Sequence, residues 1–162
     1  MDLPKMGLDH TLYLVKQYYG LEGKHPMVDG FPLKQQKMVV VDWRKNHWVH
    51  QWFCELNATA NECEEVHVGT EELKTFADKL EAWVDNPEAL PPVSEEFRGP
   101  FFGVHTDDSE YDKVRDFYRA EAKDEALKVR KAIAWLEALK NAPSRTTRTT
   151  AEYGHAIYQA SW

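Results

Sequence analysis

The densest group of side chains able to do chemistry lies between positions 47 and 67: His47, His50 and Cys54, followed by Cys63 and His67. His47, His50 and Cys54 stand at i, i+3 and i+7, a spacing that places all three near one face of a helix. Imidazole together with soft sulfur suits zinc. One reading of the block is therefore a zinc site, and with it a small metal-dependent enzyme. The spacings match none of the standard zinc motifs, however. The same pattern serves a hydrogen-bonded core histidine beside small buried thiols. Cys63 could instead be a nucleophile with His50 or His67 as its base. Its neighbours Glu62, Glu64 and Glu65 oppose that, because their negative charge disfavours a thiolate.

Two further groups carry chemistry. His105 stands beside Asp107 and Asp108, which suits acid–base work or, more simply, the capping of a helix. Arg145 and Arg148 stand among five hydroxyl residues between Ser144 and Thr150, a composition that suits phosphate contacts and a nucleotide-phosphate binder. It also suits a plain polar loop. No dinucleotide-binding glycine motif, P-loop, His-Glu-x-x-His or Gly-x-Ser-x-Gly occurs.

The elements that must hold these groups follow from periodicity. Residues 10–15 are β-branched and aromatic and predict a strand. Gly20 to Pro32 contains three glycines and two prolines and predicts an irregular loop. Met38 to Trp43 predicts a second strand, whose consecutive Val39, Val40 and Val41 suggest burial on both faces. Trp48, Val49, Trp52, Phe53 and Leu56 then recur at helical spacing, with Asn57 as the stop. Glu64–Val68 is a short strand. Thr70 is the expected N-cap of a second helix with Leu73, Phe76, Ala77, Leu80 and Trp83 inward. Gly99 to Gly103 predicts a strand or bend. A long helix should run over about 110–140, with Val114, Phe117, Tyr118, Ile133, Leu136 and Leu139 facing the core. Residues 156–162 predict a terminal strand with Tyr158, Ala160 and Trp162 on one face. The expected fold is a single α+β domain: a small, mainly antiparallel or mixed sheet packed against about three helices, one of them long.

Charge is unevenly spread. Residues 61–112 carry 3 basic against 15 acidic side chains, whereas the segments on either side are slightly basic. That acidic middle repels phosphates, which argues against nucleic-acid binding and leaves room for a basic partner. Two cysteines are too few for a disulfide framework and point to reduced thiols in a cytosol. No apolar run is long enough to span a bilayer, and Met1–His10 lacks the apolar core of a secretory signal. Core packing with partly exposed edges accounts for most of the six tryptophans, which leaves one or two that could line a surface groove.

Several stretches occur together in one order. They are Met6-Gly7-Leu8-Asp9, Trp43-Arg44-Lys45, His50-Gln51-Trp52-Phe53 and Cys63-Glu64-Glu65. After them come Leu90-Pro91, Phe101-Phe102-Gly103, Glu110-Tyr111 and the ending Tyr158-Gln159-Ala160-Ser161-Trp162. This ordered set resembles a family of small bacteriophage and prophage proteins without an established activity. His10 departs from its usual methionine and His47 from its usual asparagine. The resemblance implies that Met1–Lys5 is an N-terminal extension and that the protein is viral and works in the cytoplasm of an infected bacterial host. With no catalytic motif in the chain, the expectation is a non-enzymatic binding protein acting on a host protein or a small signalling molecule, away from membranes and nucleic acid and without a cofactor, zinc excepted.

Overall fold

The computed structural model describes residues 7–20, 25–94, 108–141 and 150–161. The fold is α+β, as expected. The strands are β1 (Asp9–Gly20), β2 (Met27–Val28), β3 (Phe31–Pro32), β4 (Gln35–Arg44), β5 (Val66–Val68) and β6 (Thr150–Ser161). The helices are α1 (His47–Leu56), α2 (Thr70–Asp85) and the 34-residue α3 (Asp108–Asn141). Four strands form one sheet in the order β4-β1-β6-β5, every neighbouring pair antiparallel. The mixed alternative is thus resolved in favour of a fully antiparallel sheet among the described strands.

One sheet face carries the core. Leu12, Val41, Tyr158 and Val66 lie in one cross-strand row, and Leu14 and Ala156 in the next. The inward stripes of α1 and α2, including Val49, Phe53, Leu73, Phe76, Leu80 and Trp83, close over them. Helix α3 contributes a stripe of Ala122, Ala126, Val129, Ala132, Ile133 and Leu136, where small alanines permit a close approach. It runs antiparallel to α2. Lys74 meets Glu137 at 2.8 Å, Arg130 bridges Asp78 and Glu81, and Arg119 reaches the C-terminal end of α2. There Arg119 donates to the carbonyls of Trp83 (2.8 Å) and Val84 (3.0 Å). Helix α2 has no basic residue in its own last turn, so α3 supplies the cation that its carbonyl end favours.

Several expectations need correction. The N-cap of α2 is Gly69, not Thr70, and its N–H is taken by Glu72 Oε1 at 3.1 Å. The three valines are not buried on both faces. β4 is an edge strand with a register shift opposite Leu12 and Tyr13, so Val41 is inside while Val39 is exposed. The Gly20–Pro32 loop contains the β2–β3 hairpin, turned by Asp29 and Gly30, both at positive φ (50° and 83°), as a two-residue hairpin loop requires. β5 begins at Val66, later than Glu64, and β6 begins at Thr150, inside the supposed polar loop. Phe117 faces solvent, at 64% exposure, not the core. Met1–Lys5, Gly99–Gly103, His105, Asp107, Arg145, Arg148 and Trp162 lie outside the described residues.

Candidate functional site

Helix α1 starts at Asn46, whose side-chain oxygen accepts the Val49 N–H at 3.2 Å. This start places His47 and His50 in the interior and Cys54 at its margin. The structure brings His50 and Cys54 together, with Cys54 Sγ 3.4 Å from His50 Nε2. It turns His47 to a different neighbour, Trp48, whose ring centre is 3.5 Å away. Cys63 and His67 do not join them. His67 alternates with the buried Val66 and Val68, so it lies on the far face of the sheet beside His155, at 5.0 Å between rings. Among the described residues, no three His, Cys, Asp or Glu side chains converge as a metal set.

Instead, His50 belongs to a buried hydrogen-bonded chain. Its Nδ1 is 2.7 Å from the Tyr158 hydroxyl, which is 2.8 Å from His10 Nδ1, and its Nε2 is 3.1 Å from Asn61 Oδ1. The protons can be placed by elimination. Asn61 Oδ1 only accepts, so His50 carries its proton on Nε2 and accepts at Nδ1. Tyr158 therefore donates to His50 and accepts from His10 Nδ1–H. His10 Nε2 is then a bare lone pair, in keeping with its lack of any hydrogen-bond partner. Burial holds both imidazoles neutral: His10 is driven well below the ordinary value, first by desolvation and then by His50 and His47, and His50 is lowered chiefly by desolvation. The Tyr158 phenol is pushed well above its ordinary value by burial. All three rings are at most 1% exposed. The group has the composition of an acid–base relay but no face on which a substrate could meet it.

A different place is open. Between the C-terminal end of β4 and the first half of α3 lies a cleft of about 420 Å³, lined by Asp42, Trp43, Arg44, Lys45, Phe117, Tyr118, Glu121 and Glu125. Such a volume suits a small molecule. Its floor is Trp43, which stacks on His10 with 5.3 Å between ring centres and so rests directly on the buried network. Tyr118 ties the two walls together by donating its hydroxyl to the Arg44 carbonyl at 2.7 Å. Helix α3 presents Phe117, Glu121 and Glu125 at successive turns, on one line along the cleft.

Glu125 is the unusual member. Only 8% of it is exposed, and its Oε2 has no hydrogen-bond partner. The Trp43 indole N–H opposes the carboxyl without closing a bond of normal geometry. Burial, reinforced by Glu121, pushes its pKa up to about 7. A carboxyl poised near neutrality at the edge of a cleft is the pattern expected of a binding or catalytic group. The motif reading missed it, yet a signal was present: Glu125 interrupts an apolar stripe, three residues after Ala122 and four before Val129. Trp43 borders the cleft from the interior, as a buried core residue, in keeping with the core reading of the tryptophans. No family model matches the chain, and no curated protein and no solved structure matches it either.

Proposed function

We propose that this is a small non-enzymatic binding protein of bacteriophage origin, acting in the cytosol of an infected bacterium on a small signalling molecule or host protein, and that the β4–α3 cleft is its binding face. The observation that carries the reading is Glu125: a carboxyl largely removed from water, with one oxygen lacking a hydrogen-bond partner, in the lining of a cleft. Such a group costs stability wherever it is ionised, and a ligand that donates to it recovers that cost. Phe117 supports the reading, since a large exposed aromatic ring on the cleft wall offers contact area of the kind that binding sites use. The acid–base groups that a catalyst would need in the open, His10, His50 and Tyr158, are enclosed and serve the core.

The test is native mass spectrometry of the protein after incubation with the small-molecule fraction of a bacterial lysate, beside Phe117→Ala and Glu125→Gln. The expected result is a bound mass on the parent protein that both substitutions reduce. A mass retained equally by all three would place binding elsewhere, and amide shifts confined to residues far from 42–45 and 117–125 would say the same.

A further inference from the structure

We infer that the cleft takes a small, singly charged organic cation, with an ammonium or guanidinium group seated against the Glu125 carboxyl and beside the Phe117 ring. This rests on the reading of the cleft as a binding site and names what it would bind. The walls decide the sign. Glu121 and Glu125 stand one turn apart on α3, and neither is in an ion pair among the described residues. The third carboxylate, Asp42, is already held by the Thr11 hydroxyl at 2.6 Å. Two carboxylates outside any ion pair among the described residues, next to an exposed phenyl ring, make a cation site, because the ring face and the carboxyl oxygens attract the same group. Glu125 Oε2 is the one lining side-chain oxygen buried without a partner, and a small rotation of the carboxyl toward the cleft would let a donor there satisfy it.

The opposite wall decides the size and valence. Arg44 and Lys45 stand at the end of β4, and the Lys45 stem lies against Gly7, where a β-carbon would come within 2.4 Å of its Cε. A polycation threading the cleft would meet these two positive charges. A single cationic head with a neutral or anionic tail would not. The cleft also makes binding depend on pH. Facing Glu125 are Glu121, Asp124 and Lys128 on its own helix, Tyr118 one face over, and Trp43, Arg44 and Lys45 from the strand side. With its carboxyl titrating at about 7, the ionised fraction rises roughly tenfold between pH 6 and pH 8, and affinity for a cation should rise with it.

The probe is n-butylguanidinium, with n-butylurea as its uncharged counterpart and spermidine as the polycation, each titrated into the full chain and followed by amide chemical shifts. The expected outcome is saturable shifts at 42–45 and 117–125 with n-butylguanidinium alone, about tenfold tighter at pH 8 than at pH 6. Glu125→Gln should abolish the pH dependence and weaken binding at least fivefold. Phe117→Ala, at an exposed position that does not endanger the fold, should weaken it by a smaller factor. Equal binding of the urea, tighter binding of spermidine, or an affinity flat between pH 6 and pH 8 would overturn the assignment. If n-butylguanidinium fails while a lysate mass is still lost in both variants, the cleft binds something other than a cation. If both fail, the cleft is not a binding site.

Discussion

Replacing Tyr158 by phenylalanine removes a single oxygen from the interior. The ring remains, and so does its stack on Phe53, at 3.9 Å and 10° between planes. What goes is the link between two histidines: the bond to His50 Nδ1 at 2.7 Å and the bond to His10 Nδ1 at 2.8 Å. Each lost bond is worth ~1 kcal/mol net, but each also leaves a buried ring nitrogen with nothing to face, at ~1–3 kcal/mol. Part of that is double counting, so the expected loss is about 2–4 kcal/mol, or roughly 4–16 °C in Tm for a chain of this size. Urea denaturation should show a lower midpoint at an unchanged slope. A double substitution sharpens the test. His10→Met removes one of the two orphaned nitrogens, and exchanging both partners of a buried bond for apolar groups is nearly neutral. The pair Tyr158→Phe with His10→Met should therefore be less destabilised than the sum of the two single changes. A loss below about 1 kcal/mol for Tyr158→Phe, or strict additivity in the pair, would refute the bonded network.

Other consequences are open to direct measurement. Gly154→Ala should cost about 1–3 kcal/mol by thermal melting, because a β-carbon there would lie 2.6 Å from Leu139 Cδ1 and 2.7 Å from the Trp135 ring. Arg119→Ala should cost about 1–2 kcal/mol through the exposed carbonyl end of α2, and Arg119→Lys should recover only part of it, since one ammonium cannot match the fork that reaches both carbonyls. Glu125→Gln should stabilise the protein at pH 8 and change little near pH 4.5. The folded carboxyl titrates at about 7 against an ordinary 4.5, so at ~1.4 kcal/mol per pH unit its ionisation costs the fold up to roughly 3 kcal/mol above pH 7. His10 and His50 act with the opposite sign. Both are lowered in the fold, so the unfolded chain binds the extra protons, and the stability they supply is complete above about 6.5 and lost as pH falls below it. In Glu125→Gln, where the opposing carboxyl is gone, the midpoint of urea unfolding should fall more steeply between pH 6.5 and pH 5 than in the parent.

Much of the fold could be read from residue order, because its elements are periodic and punctuated. The α1 stripe, the Asn57 stop and the even-numbered inward residues of β6 all follow from local spacing, and Tyr158 and Ala160 are buried where that spacing put them. The errors came where tertiary context overrode a local signal. The three valines of β4 have the composition of a central strand, but strand order is not written in a segment, and β4 is an edge. Phe117 has helical spacing with the inward residues, yet its ring is left exposed on the wall of the β4–α3 cleft. The site was the least legible part. His47, His50 and Cys54 looked convergent because i, i+3 and i+7 share a helix face. Helical spacing fixes direction only to within a broad arc: the interior keeps Cys54 beside His50, which bonds to Tyr158 and Asn61, but turns His47 to Trp48. His10 lies 148 residues from Tyr158 and could be joined to it only through the β1–β6 ladder.

The two polar features of the molecule are not independent, and Trp43 is the reason. One face of its indole lies on His10, and the ring also packs against Phe53, Phe76 and Tyr158, while its N–H is turned toward Glu125. The indole has little freedom to shift toward the carboxyl, because it is stacked on a histidine that is fixed by the Tyr158 hydroxyl, and that hydroxyl by His50. A carboxyl this buried would ordinarily draw a donor to itself by local rearrangement. Here the Trp43 N–H turns toward the carboxyl without making a hydrogen bond of normal geometry to Oε2. The enclosed network thus acts on the cleft by rigidity: it keeps the floor in place and leaves Glu125 unsatisfied. On the proposed reading of the cleft, the energy withheld in the empty protein would be available to a group that enters.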